Sequence, residues 1–125
     1  AEDFKDVNVS VMNYFDYPEG SGHVAHVQTE KAIWDPVHAS RIKAGEMLAW
    51  VVADRIMPRG VGESFHDVTV DLYKDMATYL ANRSPMPHFN KVHAGKDIGE
   101  LMDQTTAAAT LLRSEVRHTL DASNR

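Results

Sequence analysis

The sequence predicts an α+β chain of order β-α-β-β-α-β: a four-stranded antiparallel sheet with its helices on one face. Two adjacent runs of period two carry that prediction. In Glu46 to Pro58, Leu48, Trp50, Val52 and Ile56 fall on one side, and Ala49, Val51, Ala53, Arg55 and Met57 on the other. In Phe65 to Tyr73, His66, Val68, Val70 and Leu72 alternate with Asp67, Thr69, Asp71 and Tyr73. Pro58-Arg59-Gly60-Val61-Gly62 between them reads as a hairpin connection. A helical stretch precedes the pair and another follows it.

The elements run as follows. Asp6 to Asp16 is a first strand, with Val7, Val9, Val11 and Phe15 alternating with Asn8, Ser10, Met12 and Tyr14. Tyr17 to Gly22 is turn chemistry. From His23 to Ala44 the apolar spacing is helical: Val24, Val27, Ile33 or Trp34, Val37, Ile42. Pro36 either starts a second helical piece after an Asp35 cap or kinks a single helix, and Gly45 closes it. Met76 to Ala81 is a short helix. Asn82 to His93, with two prolines and no period, reads as a loop. Asp97 to Leu111 is helical, with Ile98, Leu101, Met102, Thr105, Ala108, Ala109 and Leu112 at i, i+3, i+4 spacing. Leu112 to Asp121 alternates, although Leu112, Val116 and Leu120 are also four apart. The strand reading completes the sheet. Residues 5–121 form the core of a single domain, 1–125, with 122–125 a frayed tail.

This order is the ferredoxin-like plan. The expected helix-covered face carries Val7, Val9, Val11, Trp50, Val52, Val68, Val70, Leu72, Val116 and Leu120. The opposite face collects Asn8, Ser10, Met12, Tyr14, Ala49, Val51, Arg55, Asp67, Thr69, Asp71, Tyr73, Arg113, Glu115 and Arg117. Met12, Ala49 and Val51 at its middle ask for a cover, and the simplest cover is a second copy of the sheet, a homodimer.

Composition narrows the function. The chain has 125 residues, 43% hydrophobic and 25% charged, with a formal net charge of −5. These are values of an ordinary globular domain. With no basic stripe, nucleic acid is a poor partner. No apolar run approaches the ~20 residues a spanning helix needs. The absence of cysteine rules out thiolate nucleophiles and Cys-based metal sites. The start at Ala1-Glu2-Asp3 suits a mature exported protein, so a periplasmic or secreted location is expected, with cytoplasmic the alternative.

Several stretches carry a resemblance. Glu30 to His38, Arg41 to Gly45, Gly60, the Asp67-Val68-Thr69-Val70 strand, His93 to Asp97 and Arg113 to Val116 together resemble a family of uncharacterised secreted bacterial proteins. The layout as a whole resembles the dimeric α+β barrel superfamily, in which two ferredoxin-like subunits pack sheet to sheet around a cavity. The resemblance implies fold and dimer. The superfamily holds monooxygenases, isomerases, cyclases, haem enzymes and plain binding members, so it leaves the activity open.

The candidate residues fall in four groups. His26 and Glu30 share one helical face, His23 could join them, and the three could hold a divalent ion, against a solvated helix start. His88 and His93, with Met86 nearby, could ligate haem, against a polar surface loop. No metal or cofactor is expected from either group. His38, one turn from Trp34, is a base at the cavity rim or a cap over the Trp34 ring. The barrel face holds the main set. Ser10, Tyr14, Arg55, Tyr73, Arg113 and Arg117 are expected to bind a small, partly apolar ligand, with Asp71 and His38 catalytic. The expected function is a small-molecule-binding dimeric barrel, a cofactor-free monooxygenase or isomerase. The alternative is a non-catalytic module whose sheet face only makes the dimer.

Overall fold

Four strands pair antiparallel in the order β2-β3-β1-β4 in the computed structural model, which describes residues 7–17, 23–54 and 67–120. They are β1 (Val9–Asp16), β2 (Ala49–Asp54), β3 (Asp67–Tyr73) and β4 (Thr110–His118). This is the ferredoxin-like strand order, and the last run is a strand. The expected hairpin at Pro58 to Gly62, Arg55, the ends of the two central runs beyond Asp54 and before Asp67, and the tail lie outside the described residues.

The first helical stretch is one continuous run in three parts: α1 (His23–Thr29), a π-helical turn (Glu30–Trp34) and α2 (Asp35–Lys43). The Asp35 N–H bonds to the Glu30 carbonyl, five residues back. Pro36 has no N–H to continue the ordinary ladder, and it is accommodated in the first turn of α2. Asp35 and Trp34 both keep helical dihedrals, so Asp35 is not an extended cap. Gly45, at φ 77°, ends α2. Its N–H reaches the Ile42 carbonyl and the Glu46 N–H reaches that of Arg41, the paired bonds of a Schellman ending.

After β3 come α3 (Met76–Ala81), α4 (Met86–Val92) and α5 (Ile98–Ala108). Asp75 caps α3 by accepting from Thr78 N at 2.7 Å, and Asp97 caps α5 by accepting from Glu100 N at 3.1 Å. The stretch read as a loop from Asn82 to His93 therefore contains a helix. Its prolines fall at the helix start, where a missing N–H costs nothing. Phe89, fully buried, packs with Ile33 and Val37, and Ile98, Leu101 and Met102 of α5 join them. The periodic run Asp97 to Leu111 leaves the helix after Ala108, three residues earlier than its spacing suggests, and is strand from Thr110.

The strand faces separate the correct expectations from the incorrect ones. Val9 and Val11 are buried with Met47 and Tyr73, and Trp50 packs against that cluster. These side chains meet the helices, as expected of β1 and β2. For β3 the expectation is inverted. Val9 pairs with Tyr73, Val11 with Asp71, and Phe15 with Asp67. Tyr73 bonds to Arg41 of α2, and Asp67 to His26 of α1. So Asp67, Thr69, Asp71 and Tyr73 lie under the helices, while Val68, Val70 and Leu72 join Met12 and Val51 on the open face. Val116 and Leu120 are also not core: they are 46% and 96% exposed. β4 is an edge strand that the helices leave uncovered.

Candidate functional site

The covered side of the sheet holds a cleft of about 390 Å³ between β1–β3 and the helices. Glu30, Trp34, His38 and Arg41 approach it from the π turn and α2; Trp50, Thr69 and Asp71 rise from the sheet. The spacing 30, 34, 38, 41 puts all four helical side chains on one face. The π turn carries the first two of them, and such widened turns recur at functional sites.

His38 is sandwiched. Its ring stacks on Trp50 at 5.0 Å and on Trp34 at 6.1 Å. Trp34 is fixed in turn by an indole N–H bond to Thr105 Oγ1 at 3.1 Å. Burial, helped by the Arg41 charge, pushes the His38 pKa down to about 4, so the imidazole is neutral near neutral pH. Its Nδ1 is buried with no partner among the described residues.

Arg41 is 2% exposed and has no carboxylate partner among the described residues. One guanidinium nitrogen donates to the Tyr73 hydroxyl at 3.0 Å and to the Asn82 carbonyl at 2.7 Å. Asp71 stands in the same cleft. Burial raises its pKa to about 6, Arg41 opposes that rise, and the Glu30 charge adds to it. Burial also raises the Tyr73 hydroxyl above its usual value, with Asp71 contributing. A carboxylate that titrates near neutrality, a fixed cation and two indole walls suit proton transfer on a small, partly apolar molecule.

Beside the cleft, His26 joins two carboxylates. Its Nδ1 meets Asp67 Oδ2 at 2.7 Å and its Nε2 meets Glu30 Oε1 at 3.1 Å. Burial works against charge on His26, yet the hydrogen bonds to Glu30 and Asp67 hold its pKa above the ordinary imidazole value. His26 and Glu30 do share a helical face, as their spacing implies, and both are buried rather than at a solvated helix start. Among the described residues no group of three His, Asp or Glu is arranged to hold a metal ion.

His93 is buried and donates from Nε2 to the Ile33 carbonyl at 2.8 Å. His88 bonds to Ser40 at 2.7 Å through Nδ1 and to Glu46 at 2.8 Å through Nε2, which ties α4 to α2 and its exit. Neither belongs to a polar surface loop.

The open face gathers the remaining expected residues. The Tyr14 hydroxyl donates to Glu115 at 2.8 Å and accepts from Arg117 at 2.9 Å, and the Arg113 guanidinium lies 4.1 Å over the Tyr14 ring. Glu115 also pairs with both arginines, and the Tyr14 hydrogen bond first, then Arg117, holds its pKa below the usual carboxylate range. Ser10 stands opposite Arg117 and Leu72. The expected set is thus split by the sheet: Ser10, Tyr14, Arg113 and Arg117 on one side, Asp71, Tyr73 and His38 on the other, with Arg55 outside the described residues. Asp71 and Tyr73 cannot line a pocket with Arg117. Arg41 and the cleft role of Trp50 escaped the sequence reading. The shared face of Glu30, Trp34, His38 and Arg41 was the signal that could have found Arg41.

No family model matches the sequence, and no curated protein matches it. Solved structures do. A dimeric ferredoxin-like protein from an uncultured marine organism superposes with a TM-score of 0.60 at 16% identity, covering 94% of this chain and 99% of that one. The chain has the ferredoxin-like fold. A second dimeric ferredoxin-like protein from an uncultured marine organism gives 0.59 at 12% identity, with 98% and 96% covered. An EthD-like protein of Ralstonia eutropha JMP134 gives 0.56 at 11% identity, with 94% and 96% covered. Among the described residues no helix is long and apolar enough to cross a membrane.

Proposed function

We propose that this chain is a small-molecule-binding protein of the dimeric α+β barrel type, and that its cleft lies between sheet and helices rather than inside the barrel. Asp71 takes a proton from carbon next to a carbonyl. Arg41 offsets the charge that develops on the oxygen, and Trp34 and Trp50 hold the flat apolar part. The resulting enolate leads to isomerisation if it is reprotonated elsewhere, or to cofactor-free oxygenation if it meets dioxygen. One observation carries the reading: Asp71, a carboxylate raised toward neutrality, shares an aromatic-walled cleft with a buried arginine.

The dimer belongs to the same proposal. The open face presents Met12, Val51, Val68, Val70 and Leu72 in neighbouring rows, with Val51 46% exposed. Two structures of this fold are dimeric. A second sheet laid on that face would cover it.

The test follows α-proton exchange of β-tetralone in deuterated water by NMR. Wild type should exchange it above the buffer rate, and Asp71→Asn should not. Equal rates with and without protein would leave the alternative, a non-catalytic module built to dimerise.

A further inference from the structure

Asp67, His26 and Glu30 form a buried chain that the chemistry above does not use. Asp67 is wholly buried, and its second oxygen has no partner among the described residues. The His26 ring is packed against Phe15 at 4.7 Å. Each of its nitrogens faces a carboxylate oxygen. An ionised carboxylate only accepts, and a neutral imidazole has one N–H to give. Both contacts are hydrogen bonds only if the three groups hold one extra proton, as imidazolium or as a carboxylic acid. The chain is therefore a proton store. Asp67 closes its inner end, and Glu30, at the outer end, lines the cleft with Asp71.

From this geometry, and resting on the proton-transfer reading of Asp71, we infer that Glu30 is the second acid–base group of the cleft and that the substrate class is β,γ-unsaturated ketones. Asp71 breaks the α C–H bond and keeps the proton. The electron pair spreads into a dienolate whose oxygen faces Arg41. The His26 N–H proton passes to Glu30, and Glu30 delivers it to the γ carbon, where the new C–H bond forms. The double bond moves into conjugation. Asp71 then loses its proton to water and the chain regains one from water, so no oxidant or reductant is needed.

The probe is the β,γ-unsaturated isomer of cyclohexenone, followed by NMR for α-proton exchange and by ultraviolet absorbance for the conjugated product. Glu30→Gln keeps the side-chain shape but cannot carry the proton. It should lower conversion relative to α exchange by about 10²-fold or more, the usual share of one acid–base group. His26→Gln, which removes the store but leaves Glu30, should show the same split. Asp71→Asn should lose both signals. Saturable quenching of Trp34 and Trp50 fluorescence by β-naphthol in Glu30→Gln reports that the cleft still forms; these are the chain's two tryptophans. Conversion at the wild-type rate in Glu30→Gln overturns the inference. So does a His26 ring with a single N–H by nitrogen NMR near neutral pH together with no proton on either carboxylate. A wild type that exchanges no α proton sinks the Asp71 reading instead, and the NMR result still judges the proton store.

Discussion

His38 lies against Trp50 with ring centroids 5.0 Å apart and planes 21° from parallel. That contact joins α2 to the sheet at the wall of the cleft. It also fixes a charge state, because a proton on His38 would have to be buried beside Arg41. The folded His38 pKa of about 4 lies below its ordinary 6.5. Its contribution to stability is complete above the ordinary value and is lost as pH falls through the folded one. A shift of this size corresponds to about 3 kcal/mol. Asp71 works in the opposite sense. Its pKa of about 6 lies above the ordinary 3.8, so its contribution is complete below that value and is lost as pH rises through 6. His38→Phe keeps a flat ring and removes the titration. Urea unfolding from pH 4 to 8 should show that wild type loses ground to this variant on acidification. Parallel curves would show that His38 titrates normally.

Arg41 is the fixed cation beside Asp71. Arg41→Gln should push the Asp71 pKa further up, because the neighbouring positive charge that lowers it is removed. Carbon NMR of the Asp71 carboxyl measures this directly. The variant also loses charged hydrogen bonds to Tyr73 and Asn82, so it should be destabilised by about 2–3 kcal/mol. An unmoved Asp71 titration would separate the two groups electrostatically.

Phe89 is fully buried against Trp34 at 5.2 Å and His93 at 4.8 Å. Phe89→Ala should cost about 3–5 kcal/mol in chemical denaturation. Trp50→Ala should cost less, since Trp50 is only half-buried. The reverse order would mean that the α4 packing described above is wrong.

Val51→Glu tests the open face. Placing a charge among Val51, Val70 and Met12 should split or unfold a sheet-to-sheet dimer, since an unpaired buried charge costs several kcal/mol. Light scattering reads the mass. A wild type that is already monomeric at micromolar concentration ends the dimer proposal.

Much of the fold was legible in the residues. Alternation in β1 and β2 placed Val9, Val11 and Trp50 beneath the helices, and Gly45 marked the end of α2. The i, i+4 spacing brought His26 to Glu30. The prolines near Met86 misled, because a proline that breaks a helix and one that begins it look alike without the packing of Phe89. The β3 face misled for a different reason. Val68, Val70 and Leu72 look like core, and Asp67 and Asp71 look like surface.

By itself the sequence determined that Asp67, Thr69, Asp71 and Tyr73 share one side of β3, because side chains alternate along any strand. Only the tertiary structure decided which side that is. The helices bring His26 to Asp67 and Arg41 to Tyr73 and Asp71, so polar groups are held beneath them, and the valines are left to the open face. Period two fixes who stands together. Partners supplied from distant segments decide whether that company faces the core, and with it where the cleft lies.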